Sequence, residues 1–164
     1  MIYLDNAAST KILPEVVQEM VKNCEQYYGN PSSIHSAGQK AKKLLENSRE
    51  VIAGLFGAEG KEIIFTSGGA EGNNLVIKGA SEAYSYKGKH IITTDIEHPT
   101  VLNTFLDLEE KGYEITYLHT DKNGVVNVDE LRDSLRPDTI LVSVMSSNNE
   151  TGVVQPIEEI GKIL

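Results

Sequence analysis

From Glu62 onward the chain alternates between short apolar runs and longer amphipathic stretches. Glu62–Thr66, His90–Thr94, Glu114–Leu118 and Thr139–Met145 are brief apolar runs bounded by turn residues, a pattern that predicts strands. Between them, Ala70–Tyr84, Pro99–Lys111 and Val128–Leu135 carry apolar residues at helical spacing, and a last helix is expected from near Pro156. Gly112 reads as the cap that closes the second of these helices, and Asp121-Lys122-Asn123-Gly124 reads as a turn. Upstream the pattern is mainly helical. Pro14–Tyr27 has Pro in its first turn and Val16, Val17, Met20 and Val21 on one face. A longer amphipathic helix sets Ala41, Leu44, Leu45, Ser48, Val51, Ile52 and Leu55 at helical spacing. Gly29-Asn30-Pro31-Ser32-Ser33 is a loop by composition, and Ile2–Leu4 reads as a short strand or an arm. Alternating strand and helix predicts an α/β layer architecture with a largely parallel sheet.

Ligands of such sheets sit at the carboxyl ends of the strands. Three polar clusters fall there: Thr66–Glu71, Asp95–His98 and Ser146–Glu150. The first lies in Ile63–Asn74, IIFTSGGAEGNN, where an apolar run passes through a Ser/Gly turn into a helix. That arrangement gathers free backbone N–H groups and the positive end of a helix dipole at one point, which suits a phosphate or carboxylate. No GK[ST] follows, and the G-x-G-x-x-G spacing is absent, so neither a P-loop nor a dinucleotide fingerprint is present. Taken alone, the segment reads equally as an anion cradle or an ordinary tight turn. With parallel strands, the three clusters would meet on one rim as a cofactor pocket, with an imidazole (His98) and two amides (Asn148, Asn149) beside the cradle.

The 164 residues allow one domain with a real core, and the formal net charge of -9 comes without any Lys/Arg-rich run. Nucleic-acid binding, which needs a basic face, is not expected. The start, MIYLDNAAST, lacks the pattern of a signal peptide, and no stretch approaches a membrane span. The single cysteine, Cys24, allows no internal disulfide and suits a reducing cytoplasm. It falls on the first predicted helix and is expected to be a partly buried structural thiol. No pair of histidines or cysteines has metal-ligand spacing, so no metal site is expected. His35 either lines a pocket or stabilises its loop; His90 reads as a strand-edge residue and His119 as a loop residue.

Five segments in order resemble the class V aminotransferases, and more narrowly the cysteine desulfurases. They are YLDNAAST at 3–10, GNPSSIHSAG at 29–38, FTSGGAEGNN at 65–74, GKHIITTDIEHPTVL at 88–102 and SSNNETGVVQPI at 146–157. The resemblance covers essentially the whole chain. It implies a pyridoxal phosphate enzyme of fold type I, with residues 15–164 as the N-terminal part of its three-layer α/β/α large domain. Residues 1–14 would be an arm on the small-domain side. Gly69 and Ala70 then correspond to the phosphate-binding pair, and His98 to the catalytic histidine that stacks on the pyridine ring. Asn149 corresponds to the asparagine beside the phenolic oxygen of the cofactor and the substrate carboxylate. The resemblance departs at Ala70, where most relatives carry Thr. A hydroxyl bond to a charged phosphate contributes about 1.5–3 kcal/mol, so weaker cofactor binding is expected.

The implied reaction takes sulfur from L-cysteine, leaving L-alanine and an enzyme persulfide, for iron–sulfur cluster assembly or another sulfur-transfer pathway. A homodimer and a sulfur-acceptor scaffold protein are the implied partners. No lysine here sits in the Ser-x-His-Lys context of the Schiff-base lysine, and Cys24 is not placed as the nucleophile. The chain is therefore expected to be one part of a longer enzyme and to be inactive alone. The alternatives are another class V enzyme, such as a selenocysteine lyase or an aminotransferase, and a non-catalytic half-length partner subunit.

Overall fold

The loop Gly29–Ser33 turns back so tightly that two of its contacts exclude any side chain. A Cβ on Gly29 would lie 2.5 Å from the carbonyl of Ala37, and one on Gly38 would lie 2.5 Å from the carbonyl oxygen of Ser33. This loop joins helix α1 (Pro14–Gln26) to α2 (Ser36–Phe56). His35 is the N-cap of α2, and its Nδ1 accepts the Gly38 N–H at 3.3 Å, which is the loop-stabilising of its two expected roles. Gly57, at φ 64, closes α2 in the left-handed region. The structure, a computed structural model, describes residues 2–164. It divides into two compact units, Met1–Phe65 and Thr66–Leu164.

Two expectations for the first unit are corrected. Ile63–Phe65 joins no sheet: a short 3-10 turn, Gly60–Glu62, precedes it, and Ile64 and Phe65 are exposed. A strand needs a neighbouring ladder for its amides and carbonyls. Here the Ile63 carbonyl accepts from the Arg49 guanidinium, which also lies 4.8 Å from the centre of the Phe65 ring. Cys24 is exposed and not partly buried, because no residue of α1 is buried.

The second unit is a parallel sheet between helices. Strand β1 (His90–Thr94) is buried at all five positions. It lies between β2 (Glu114–Leu118) and β3 (Thr139–Val142), in the order β2-β1-β3 and with every pairing parallel. Adjacent side chains of a strand face opposite sides, and Ile91 and Ile92 accordingly belong to two separate cores. Ile91 packs with Ile77 of α3 (Gly69–Ala83) and with Val101, Phe105 and Leu108 of α4 (Pro99–Glu110). Ile92 packs with Leu118, with Leu131 of α5 (Val128–Ser134) and with Ile160 of α6 (Ile157–Ile163). The layers are therefore α/β/α; the alternation predicted the parallel α/β layering, and the resemblance implied its three layers.

β3 is shorter than expected and stops at Val142, although the Ser143 N–H still reaches the Ile92 carbonyl at 2.9 Å. His90 is a correction as well. It is enclosed in the central strand, with Nδ1 2.7 Å from the Thr139 hydroxyl and Nε2 2.9 Å from the Thr116 hydroxyl. At this end of the sheet Arg136 forks onto Asp138 and Glu114, at 2.8 and 2.7 Å. His119 is exposed and pairs with Glu130 at 3.0 Å.

Candidate functional site

All three polar clusters lie in the second unit, at or beside the carboxyl end of the parallel sheet. The first opens α3. Its N-cap, Gly68, offers no side-chain oxygen, so the amides of the first turn keep no capping partner. A Cβ added at Gly68 or Gly69 would meet nothing within 4 Å. The Ser67 N–H donates to Glu71 at 2.6 Å. Ser67, through its hydroxyl and its N–H, holds the Glu71 carboxyl below its usual range. Glu71 is thus turned back onto the incoming loop. Uncapped donors, the positive end of a dipole and open space in front of Gly68 and Gly69 fit a phosphate group.

The second cluster is the loop from β1 to α4. His98 is the N-cap of α4, and its Nδ1 accepts the Thr100 N–H at 3.1 Å. The Thr100 hydroxyl lies 2.8 Å from the same nitrogen and 2.9 Å from Asn73 Nδ2 on α3. Glu97, only 7% exposed, turns inward, where it accepts the Met145 N–H and lies 3.4 Å from the Thr94 hydroxyl. Burial pushes its carboxyl above the usual range, against the pull of the Met145 N–H.

The third cluster follows β3. Asn148 Nδ2 donates to the Ile96 carbonyl at 3.1 Å, and its Oδ1 accepts the N–H groups of Glu150 and Thr151 at 3.0 and 2.9 Å. Glu97 and Asn148 therefore staple the second loop to the third. Asn149 is exposed, and its Nδ2 donates to Glu150 at 2.8 Å. Together the loops line an open cavity of about 340 Å³ bordered by Asn73, Glu97, His98, Val101 and the run Ser143–Ser147.

Of the residues singled out from the sequence, His98 lines this cavity, Gly69 and Ala70 open α3, and Asn149 stands outside the cavity wall. Asn73, Glu97 and Thr100 were not singled out. Asn73 lies four residues beyond Gly69, hence on the same helix face, and that spacing is the signal that could have found it. Glu97 was visible only as one polar member of a rim cluster. Among the described residues, no group of three His, Cys, Asp or Glu side chains is placed to hold a metal, and no helix is long and apolar enough to cross a membrane.

The model of the family described as aminotransferase class-V matches residues 2–164. The chain is 50% identical over 162 residues to a cysteine desulfurase IscS of Dictyoglomus turgidum, covering 99% of this chain and 41% of that protein. A cysteine desulfurase IscS of Methanosarcina thermophila is likewise 50% identical over 162 residues, covering 99% of this chain and 40% of that protein. Among solved structures, a NifS-like protein superposes with a TM-score of 0.93 at 39% identity, over 96% of this chain and 43% of that one. The structure of SspA in complex with cysteine gives 0.90 at 39% identity, over 96% of this chain and 45% of that one. The chain thus spans less than half the length of these relatives.

Proposed function

The chain belongs to the aminotransferase class-V family, and from that premise we propose that it is the cofactor-binding part of a pyridoxal phosphate-dependent cysteine desulfurase. The observation that carries this reading is the meeting of an uncapped helix start, an imidazole and two stapled loops at the carboxyl end of one parallel sheet. The sequence relatives named above are cysteine desulfurases, and one structural relative is a complex with cysteine. L-cysteine is therefore the proposed substrate, with L-alanine and an enzyme persulfide as products of the whole protein. The homodimer, the acceptor scaffold protein, the cytoplasmic setting and the iron–sulfur pathway belong to the same proposal.

The amides of Gly69 and Ala70 would hold the phosphate, aided by the dipole of α3. The His98 ring would lie against the flat cofactor ring. Asn149 would give up Glu150 to orient the cofactor and the substrate carboxylate. Glu97 and Asn148 keep the two loops together and so fix the width of the cavity. Pyridoxal phosphate, when bound, would supply the electron sink that weakens bonds at the α-carbon of an amino acid. No lysine or cysteine lines the cavity, so the chain by itself is proposed to bind the cofactor without releasing sulfide.

Titrating pyridoxal phosphate into the chain and into Ala70→Thr, followed by tyrosine fluorescence, tests the reading. Saturable binding is expected, tighter by roughly tenfold or more in the Thr variant, which restores a hydroxyl donor to a charged group. Absence of saturable binding would sink the cofactor assignment, and equal affinities would remove the role given to position 70. Sulfide released from cysteine by the pure chain would overturn the statement that it is inactive alone.

A further inference from the structure

We propose that Asn73 and Thr100 are positioning residues that fix the tautomer of the neutral His98 ring, with its proton on Nε2, so that this ring offers a proton and not a lone pair. This deepens the proposed function, and rests on it only for what the proton does, not for how the ring is held. One group with no freedom of role sets every direction. A backbone N–H can only donate. The Thr100 N–H meets His98 Nδ1 at 3.1 Å, so Nδ1 is the acceptor of the ring. The Thr100 hydroxyl, 2.8 Å from the same nitrogen, then shares that one lone pair as a second donor in a three-centre bond. The oxygen of that hydroxyl in turn accepts from Asn73 Nδ2 at 2.9 Å. With the Nδ1 lone pair occupied, the proton of the neutral ring is on Nε2.

Such a ring can donate to an oxygen or nitrogen of a ligand. Nε2 cannot accept while it keeps that proton, and the Nδ1 lone pair is taken up by Thr100. The neutral His98 ring is therefore set to donate a hydrogen bond through Nε2. The contact also links two functions. Asn73 stands on α3, one turn beyond the uncapped amides, and Thr100 on the first turn of α4. The bond that orients the ring thus ties it to the helix whose start faces the anion.

The test is a long-range nitrogen–proton NMR correlation of the histidine-labelled chain at a pH where the ring is neutral, with His98 assigned by its loss in His98→Gln. The wild type is expected to show Nε2–H as the dominant tautomer of His98. In Thr100→Val, and separately in Asn73→Ala, the share of the Nδ1–H form should rise roughly fivefold, the effect of losing about one hydrogen bond. Thr100→Ser should restore the wild-type ratio. A wild-type ring protonated on Nδ1 would overturn the proposal whatever the variants do, and so would a ratio that neither variant moves. Pyridoxal phosphate binding with the Nδ1–H tautomer would defeat this inference alone. The Nε2–H tautomer without cofactor binding would defeat the functional reading and leave this one standing.

Discussion

Glu97 carries a carboxylate where water is nearly excluded, and burial pushes it above the usual range. A raised carboxyl favours folding most fully below its ordinary value of 4.5, and that contribution is lost as pH rises through the raised value. Above that window the ionised group opposes folding, yet its oxygen still accepts the Met145 N–H. Glu97→Gln keeps an acceptor and removes the charge; Glu97→Ala keeps neither. In urea unfolding at about pH 7, the Gln variant should be at least as stable as the wild type, and the Ala variant less stable by about 1–3 kcal/mol. A Gln variant that fell as far as Ala would show that the charge itself stabilises the rim. Residues of this kind were hard to read from the sequence for a physical reason. Glu97 meets Met145 across 48 positions and Asn73 meets Thr100 across 27, and neither pair leaves a local pattern. The position of His98 beside the cavity is legible because a strand end, a polar loop and Pro99 adjoin it. The role of Asn148 is not legible, because amide bonds to its own turn and to the neighbouring loop look alike in a sequence.

Strands β1 and β2 match their expected ranges residue for residue, because each is a short run of strand-forming residues bounded by turn residues, β1 buried throughout and β2 half-buried at the sheet edge. Ile63–Phe65 has the same apolar character and no ladder partner, which periodicity cannot reveal. Histidine at the head of β1 misled for a related reason: it is polar and at a strand end, but that strand is central. Its enclosure pushes His90 below the ordinary value of 6.5, aided by the Arg136 guanidinium and opposed by Asp138 and Glu114. A lowered histidine favours folding above its ordinary value, and that contribution is lost as pH falls through the lowered one. Replacing the ring by His90→Gln should therefore flatten the decline of unfolding free energy below about pH 6.5, by up to about 1.4 kcal/mol per pH unit. The difference between the two proteins isolates the ring from Glu97, which acts in the opposite sense, and from the raised but solvent-screened His119. Parallel pH profiles would mean that His90 titrates alike in the folded and unfolded chains.

At the scale of the molecule, β2 and β3 are both sheet edges, each paired on one side only. Val16, Val17, Met20 and Val21 give α1 an exposed apolar face. Open edges and apolar patches promote association. The chain is expected to associate as its concentration rises in light scattering, and Val17→Lys with Met20→Lys should reduce that association. A clean monomer with little dye-accessible apolar surface would refute this, and would also remove the non-catalytic partner-subunit alternative. The order β2-β1-β3 has a further consequence. From β1 the chain steps outward to β2 and then crosses back over β1 to build β3. The β1 loop leads to α4 on the Ile91 face and the β3 loop to α6 on the Ile92 face. Beyond the bonds of Glu97 and Asn148 that join them, the two loops therefore depart to opposite faces and leave a crevice at the end of β1. The place of the candidate site is a property of topology, and its lining a property of the loops. Rim residues can be exchanged on this scaffold while Ile91 and Ile92 continue to hold the layers together.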